Sequence, residues 1–284
     1  MKFLITLFLC FLIFVSCQTQ PTKVQENLTM GPNVDPSSTI TEDTIILDTR
    51  SLFNYTSSHL PKAYPIRWQD FSFNQKMQVG LLKKDLESIA RYFALLGIAP
   101  DSHVVVVGEG LTGDGSEGRI AWMLQYLGVS NVNFATEHSV TLKRKSGPPD
   151  SKTNVPFWKP AVQSDLIATR DEIISAIGKK EKAVILDVRS RGEYLGHVPG
   201  LRVPDIGAIN IDWREFIDES GKPRSILLAQ LEPVGVTRDK RVIVVSAKGV
   251  RSALVTHVLR RLGYSHAANF AGGHTELLST KKKR

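Results

Sequence analysis

The residues best arranged for chemistry lie late in the chain. An apolar, β-branched run, Val242–Val245, passes straight into Ser246-Ala247-Lys248-Gly249-Val250-Arg251, and a helix is predicted from Ser252 to Arg261. A short loop between strand and helix gathers free backbone N–H groups around one point, and the positive end of the helix adds to them. Lys248 and Arg251 supply further charge. The segment is an anion cradle by construction, with Ser246 where a nucleophile would stand. To act as a hydrolytic nucleophile, Ser246 needs a base within hydrogen-bond reach and a group that orients the base. His257 and His274 are the candidates. The plainer alternative is a small polar residue left in the cradle.

Other constellations carry less. Asp48 and Asp187 each end a predicted strand two residues before an arginine, Arg50 or Arg189. Their repetition favours a structural role, pairing with that arginine or holding the loop, over acid–base work. In the first half the matching loop runs from Gly108 to Arg119 and includes Glu109, Asp114 and Glu117, three acidic residues that would repel an anion. It lacks the Gly-Lys-Ser/Thr of a nucleotide loop, and Gly110-x-x-Gly113 alone is a weak signal. The histidines show no zinc-like spacing, and no Cys-x-x-Cys occurs, so neither a metal nor a cofactor is expected.

The elements that must position the cradle follow from pattern. Thr44–Arg50 matches Ala183–Arg189, His59-Leu60-Pro61 matches His197-Val198-Pro199, and Trp68–Phe71 matches Trp213–Phe216. Val104–Val107 matches Val242–Val245, and the helices that follow close on Leu127-Gly128 and Leu262-Gly263. Matches in one order indicate a duplication. Aligned on those helix ends, the first loop is three residues longer and Gly108 takes the place of Ser246. Short β-branched runs read as buried parallel strands. Leu82, Leu86, Ile89, Phe93 and Leu96 recur at helical spacing, with Gly97 as the stop, and Thr169 with Glu172 forms a capping-box pattern. The fold class is α/β: two units, 41–142 and 161–278, each a mostly parallel sheet flanked by helices, joined by a linker over 143–160. Trp68 and Trp213 read as packing residues, and Trp158 as a pin between the units.

The beginning of the chain points to export. Lys2 precedes an apolar stretch from Phe3 to Val15, broken only by Thr6, which is too short for the ~20 helical residues that span a bilayer. It has the size of a signal-peptide core. Phe14-Val15-Ser16-Cys17 is similar to a bacterial lipobox, which implies acylation of Cys17 after removal of the residues before it. The alternative is a plain secretory signal with a coincidental cysteine. By resemblance to the known sorting pattern, Gln18 rather than Asp after the cysteine implies the outer membrane, facing the periplasm. Residues 18–40 read as a flexible tether and 279–284 as a basic tail. The only cysteines are Cys10 and Cys17, so the processed chain would carry no free thiol. The net charge of +8 owes four residues to Lys281–Arg284, and no basic stripe interleaved with aromatics appears, so no nucleic-acid partner is expected.

The strand, the loop with its glycine and Arg251-Ser252 resemble the rhodanese active-site loop, Cys-x-x-Gly-x-Arg-Ser. Leu186–Arg189, Glu193-Tyr194, Gly207–Asn210 and Gly272-Gly273 fall where that family has them, and the resemblance extends over both halves, as in tandem rhodaneses. The six-residue loop is of the sulfurtransferase type, and Lys248 sits where thiosulfate-specific loops carry lysine. The family's Gly-Gly turn lies near the loop, which makes His274 the better candidate base for Ser246. Family members attack a sulfane sulfur with a thiolate and hold it as a persulfide; here that position is Ser246, and an oxygen nucleophile cannot form the S–S bond. The reading is therefore a lipid-anchored tandem rhodanese-like protein without sulfur transfer. It would bind a small oxyanion or a protein partner through 246–251, supported by Asp187 and Arg189, and meet the membrane only through its anchor. The alternatives are an active sulfurtransferase and a purely structural interaction protein.

Overall fold

The β-branched runs form the expected strands in a computed structural model that describes residues 40–75, 78–151, 154–178, 183–198 and 205–278. Cys17, the signal, the tether up to residue 39 and the tail from 279 lie outside the described residues. In the first half the strands are β1 (Ile45–Asp48), β2 (Ala63–Pro65), β3 (His103–Gly108) and β4 (Asn131–Thr136). In the second they are β5 (Ala183–Asp187), β6 (Ile209–Asn210), β7 (Arg241–Val245) and β8 (Ala267–Asn269). They build two four-stranded sheets, β2-β1-β3-β4 and β6-β5-β7-β8, with every ladder parallel. The same strand order in both is the sequence repeat in three dimensions.

Parallel strands covered by helices bury both faces. Val104 and Val106 of β3 enter a core shared by the two halves, whereas Val105 and Val107 enter a separate one with Ile46, Tyr55 and Leu60. In β7, Val242 and Val244 join the shared core, and Ile243 and Val245 the outer core of the second half. The helices are α1 (Leu52–Ser57), α2 (Leu86–Leu95), α3 (Ser116–Leu127), α4 (Arg170–Ala176), α5 (Arg191–Tyr194), α6 (Leu227–Leu231), α7 (Val250–Arg261) and α8 (Gly273–Leu278). Asp85 caps α2, whose side chain accepts from the Ser88 N–H, and the Thr169/Glu172 capping box opens α4. Helix α7 begins at Val250, two residues earlier than expected, because Gly249 serves as its N-cap.

The halves meet where α3 crosses α7. A Cβ on Gly118 would collide with Cα and Cβ of Leu254, so glycine alone permits this approach. His257 Nδ1 donates to Gln125 Oε1 at 3.0 Å, and its ring lies 5.2 Å from that of Phe134. Burial lowers His257 to about 3, with Arg261 adding to the effect, so it packs as a neutral ring. The linker differs from expectation. Lys145 still pairs with His59, extending the first unit past 142. Trp158 pins the linker to the first half rather than joining the two: its Nε1 donates to Ile98 O at 2.8 Å, and Val155 N donates to Ala94 O. The chain then crosses the end of α3, where Ala161 N donates to Leu127 O, takes a hydrogen bond on Leu166 O from Trp122 Nε1 in mid-helix, and enters the second sheet at Ile167, which pairs with Asn269.

Candidate anion-binding site

The ladder between β5 and β7 sets Asp187 opposite Val245, so Asp187 and Ser246 stand together at the carboxyl edge of the sheet, where open α/β folds place ligands. From there the chain turns through the six residues of the cradle. Gly249 adopts a left-handed φ of +73°, and a Cβ at this position would collide with the carbonyl of Ala271. Two N–H groups from α8 hold the loop from beneath: His274 N donates to Ser246 O at 2.9 Å and Thr275 N to Ala247 O at 3.1 Å. Among the described residues, the N–H groups from Ala247 to Arg251 meet no protein acceptor, which leaves five donors at the head of a twelve-residue helix.

Ser246 is wholly buried, and its hydroxyl is committed. Asn269 Nδ2 donates to Gly249 O at 3.2 Å, which turns Oδ1 toward Ser252. Ser252 Oγ gives its proton to that oxygen at 2.7 Å, so the 3.0 Å contact between Ser246 and Ser252 is donated by Ser246. The relay ends on an amide oxygen, which is no base. Neither expected histidine changes this. His257 lies in the seam, and His274 Nε2 donates to Asp187 Oδ2 at 2.8 Å, leaving its buried Nδ1 without a partner. The arrangement argues against an activated serine.

The supporting pair is fully formed. Arg189 holds Asp187 through Nε at 3.0 Å and Nη2 at 2.7 Å, with both side chains 1% exposed. Burial would raise the Asp187 carboxyl, but hydrogen bonds from His274 and Arg189 outweigh it and keep it below the usual carboxylate range. Asp48 and Arg50 repeat the pair in the first half, where Glu137 also meets Arg50. A cavity of about 270 Å³ opens beside the second pair, lined by Asp187, Arg189, Tyr194, Ile206 and His274.

Arg251 departs from expectation. It does not offer a free guanidinium to the cradle but grips Glu193 with two hydrogen bonds, at 2.7 and 2.8 Å. The fork geometry of guanidinium and carboxylate makes this pair strong and directional. Glu193 also accepts from the N–H of Ser190 and so ties the start of α5 to the start of α7. The Lys248 side chain is exposed at the rim, and the cradle's inner potential comes from backbone donors alone.

Hydrogen bonds from Arg251 hold Glu193 at about 2, against an opposing effect of burial. A depressed folded-state value gives stability that is full above the ordinary 4.5 and lost as pH falls toward 2. Urea midpoints of the parent and Glu193→Gln should therefore differ near neutrality and converge over that window; a constant difference would refute the assignment.

Three buried features had no direct signal in the sequence. Arg119, at the head of α3, donates to Gly249 O at 3.1 Å and to Gly80 O, joining the first half to the cradle. Gly80, at φ +98°, lies so close that a Cβ would collide with the carbonyl of Lys248. Glu117, expected to be a repelling surface charge, is 1% exposed and folded into its own loop.

Two parallel-sheet units of one strand order, with a strand–loop–helix cradle at the sheet edge, define a rhodanese-type α/β fold. Residues 169–280 match the rhodanese-like domain family. The chain is 27% identical over 243 residues to thiosulfate sulfurtransferase of Azotobacter vinelandii, covering 82% of this chain and 87% of the relative. It is 28% identical over 236 residues to 3-mercaptopyruvate sulfurtransferase of Escherichia coli, covering 78% and 81%. The crystal structure of a 3-mercaptopyruvate sulfotransferase from Escherichia coli shares the fold with a TM-score of 0.68 at 24% identity, over 82% of this chain and 93% of that one. The anaerobic ergothioneine biosynthesis enzyme of Chlorobium limicola gives 0.72 at 19% identity over 86% of this chain; the match spans 64% of that enzyme. The chain is thus similar over both halves to tandem-domain sulfurtransferases, and its second half matches the rhodanese-like domain family.

Proposed function

We propose that this protein is a non-transferring member of that group, which binds a small oxyanion or an anionic group of a protein partner in the 246–251 cradle. One observation carries the reading: the residue at the strand end is a serine whose proton is committed to Ser252 and, through it, to Asn269. Sulfur transfer needs a thiolate there, and the sequence holds no cysteine beyond Cys17. Five N–H donors at a helix head still suit an oxyanion. Its membrane attachment, in this proposal, is acylation of Cys17 at the cell envelope.

The similarity to thiosulfate and 3-mercaptopyruvate sulfurtransferases favours the enzyme as the second reading. The purified protein should give no thiosulfate:cyanide transfer. Titration with thiosulfate, sulfate and phosphate should raise the melting temperature in a saturable, salt-sensitive way. Turnover in the parent would establish the enzyme instead. Absence of both turnover and binding would leave an interaction protein with a vestigial loop.

A further inference from the structure

The first half carries the same strand–loop–helix plan, but its centre is already filled. Gly108 ends β3 where Ser246 follows β7, and a Cβ on it would collide with Cβ, Cδ and Oε2 of Glu117. The Glu117 side chain thus turns back from the first turn of α3 and lies on the strand end. The residue is 1% exposed, and its Oε1 is buried without a partner. Counted from the closing leucines, Glu117 and Ser252 hold the same place, each ten residues before Leu127 or Leu262. The pair Gly108 and Glu117 therefore fills the space that Ser246 and Ser252 fill in the second half. One pair is none-and-large, the other small-and-small.

We infer that the first half contains a second cradle of the same plan, occupied by a tethered ligand, the carboxyl group of Glu117, and that a small free carboxylic acid would fit the site once that side chain is removed. The loop leaves room for such a group: Gly108 carries no Cβ, and the space it leaves lies at the head of a twelve-residue helix. Burial pushes Glu117 up to about 8, and Asp114 and Glu109 add to the rise, so near neutrality the occupant is chiefly the uncharged acid. The surface cleft above, about 660 Å³ and lined by Thr49, Ser51, Arg67, Glu109, Asp114 and Ser116, stops short of it. The inference goes beyond the proposed function, because it concerns the other loop and stands whether or not 246–251 binds an anion.

Chemical rescue tests it. Glu117→Ala should melt below the parent, and formate or acetate should restore several degrees in a saturable way, more than either acid adds to the parent, while sodium chloride at equal ionic strength does not. A folded Glu117→Ala that gains no more from formate than from chloride would overturn the inference. Should that variant not fold, the exchange of pairs decides. Gly108→Ser alone should be strongly destabilised by collision with Glu117, and Gly108→Ser with Glu117→Ser, which installs the second half's own pair, should melt above both single variants. Additive losses in that cycle would likewise overturn it.

Discussion

Ser246→Cys is expected to give a protein that accumulates a persulfide on incubation with thiosulfate and passes the sulfur to cyanide, on the order of 10²-fold or more above the parent. The argument rests on what surrounds the side chain. The Ser252 N–H points at Ser246 Oγ from 3.3 Å, and the unpaired N–H groups of the cradle follow it in sequence. A thiol in that position has its ionised form stabilised by these donors and by the helix end, which draws its pKa below the ordinary ~8.5. The thiolate would then attack the outer sulfur of thiosulfate, forming the S–S bond and releasing sulfite. Cyanide would take that sulfur as thiocyanate and return the thiolate. Thiolate ultraviolet absorbance against pH gives a second measure that needs no turnover. A cysteine that titrates at its ordinary value, with no persulfide by mass spectrometry, would show that the loop donors do not converge.

Arg119→Met is expected to have the largest effect in the first half, about 1–3 kcal/mol of lost stability by urea denaturation, because it strands the buried carbonyl of Gly80 and leaves that of Gly249 only the donor from Asn269. Arg119 is fully buried and pairs with no carboxylate among the described residues. It bonds instead to Gly80 O and Gly249 O and lies 4.7 Å over the ring of Trp122. Burial draws its pKa down to about 9, a value still well above neutrality, so the charge persists. Methionine keeps an unbranched apolar stem and removes the desolvation cost, yet supplies no donor. The same change should also loosen the cradle from the far side. In a Ser246→Cys background, Arg119→Met should raise the pKa of the new thiol, and Arg119→Lys should recover part of the shift. A thiol pKa that stays fixed while stability falls would confine Arg119 to packing.

The sheet, the repeat and the cradle were legible in the sequence because each depends on neighbours close along the chain. Val242–Val245 announces a buried strand by its β-branched run, Thr169 and Glu172 announce a helix start by their spacing, and Gly249 marks a turn. Glu117 and Arg119 were not legible. Charged residues beside glycines read as solvated, and only tertiary packing buries them, Glu117 against the end of β3 and Arg119 between Gly80 and Gly249. The capture of Arg251 by Glu193 spans 58 positions and has no local signature. Trp158 read as a bridge because it sits between the units, whereas its indole N–H found the carbonyl of Ile98 on one side.

The glycine-mediated crossing of α3 and α7 also governs how the molecule is made. Helix α3 is buried on nearly every side, by its own sheet and by α7, and synthesis from the amino terminus delivers it long before α7 exists. Through that interval the Gly118 groove and the apolar residues around it face water. The first half thus begins its life as an incomplete surface that only the second can close, and substitutions at Leu254 should reduce yield before they alter anything the finished protein binds.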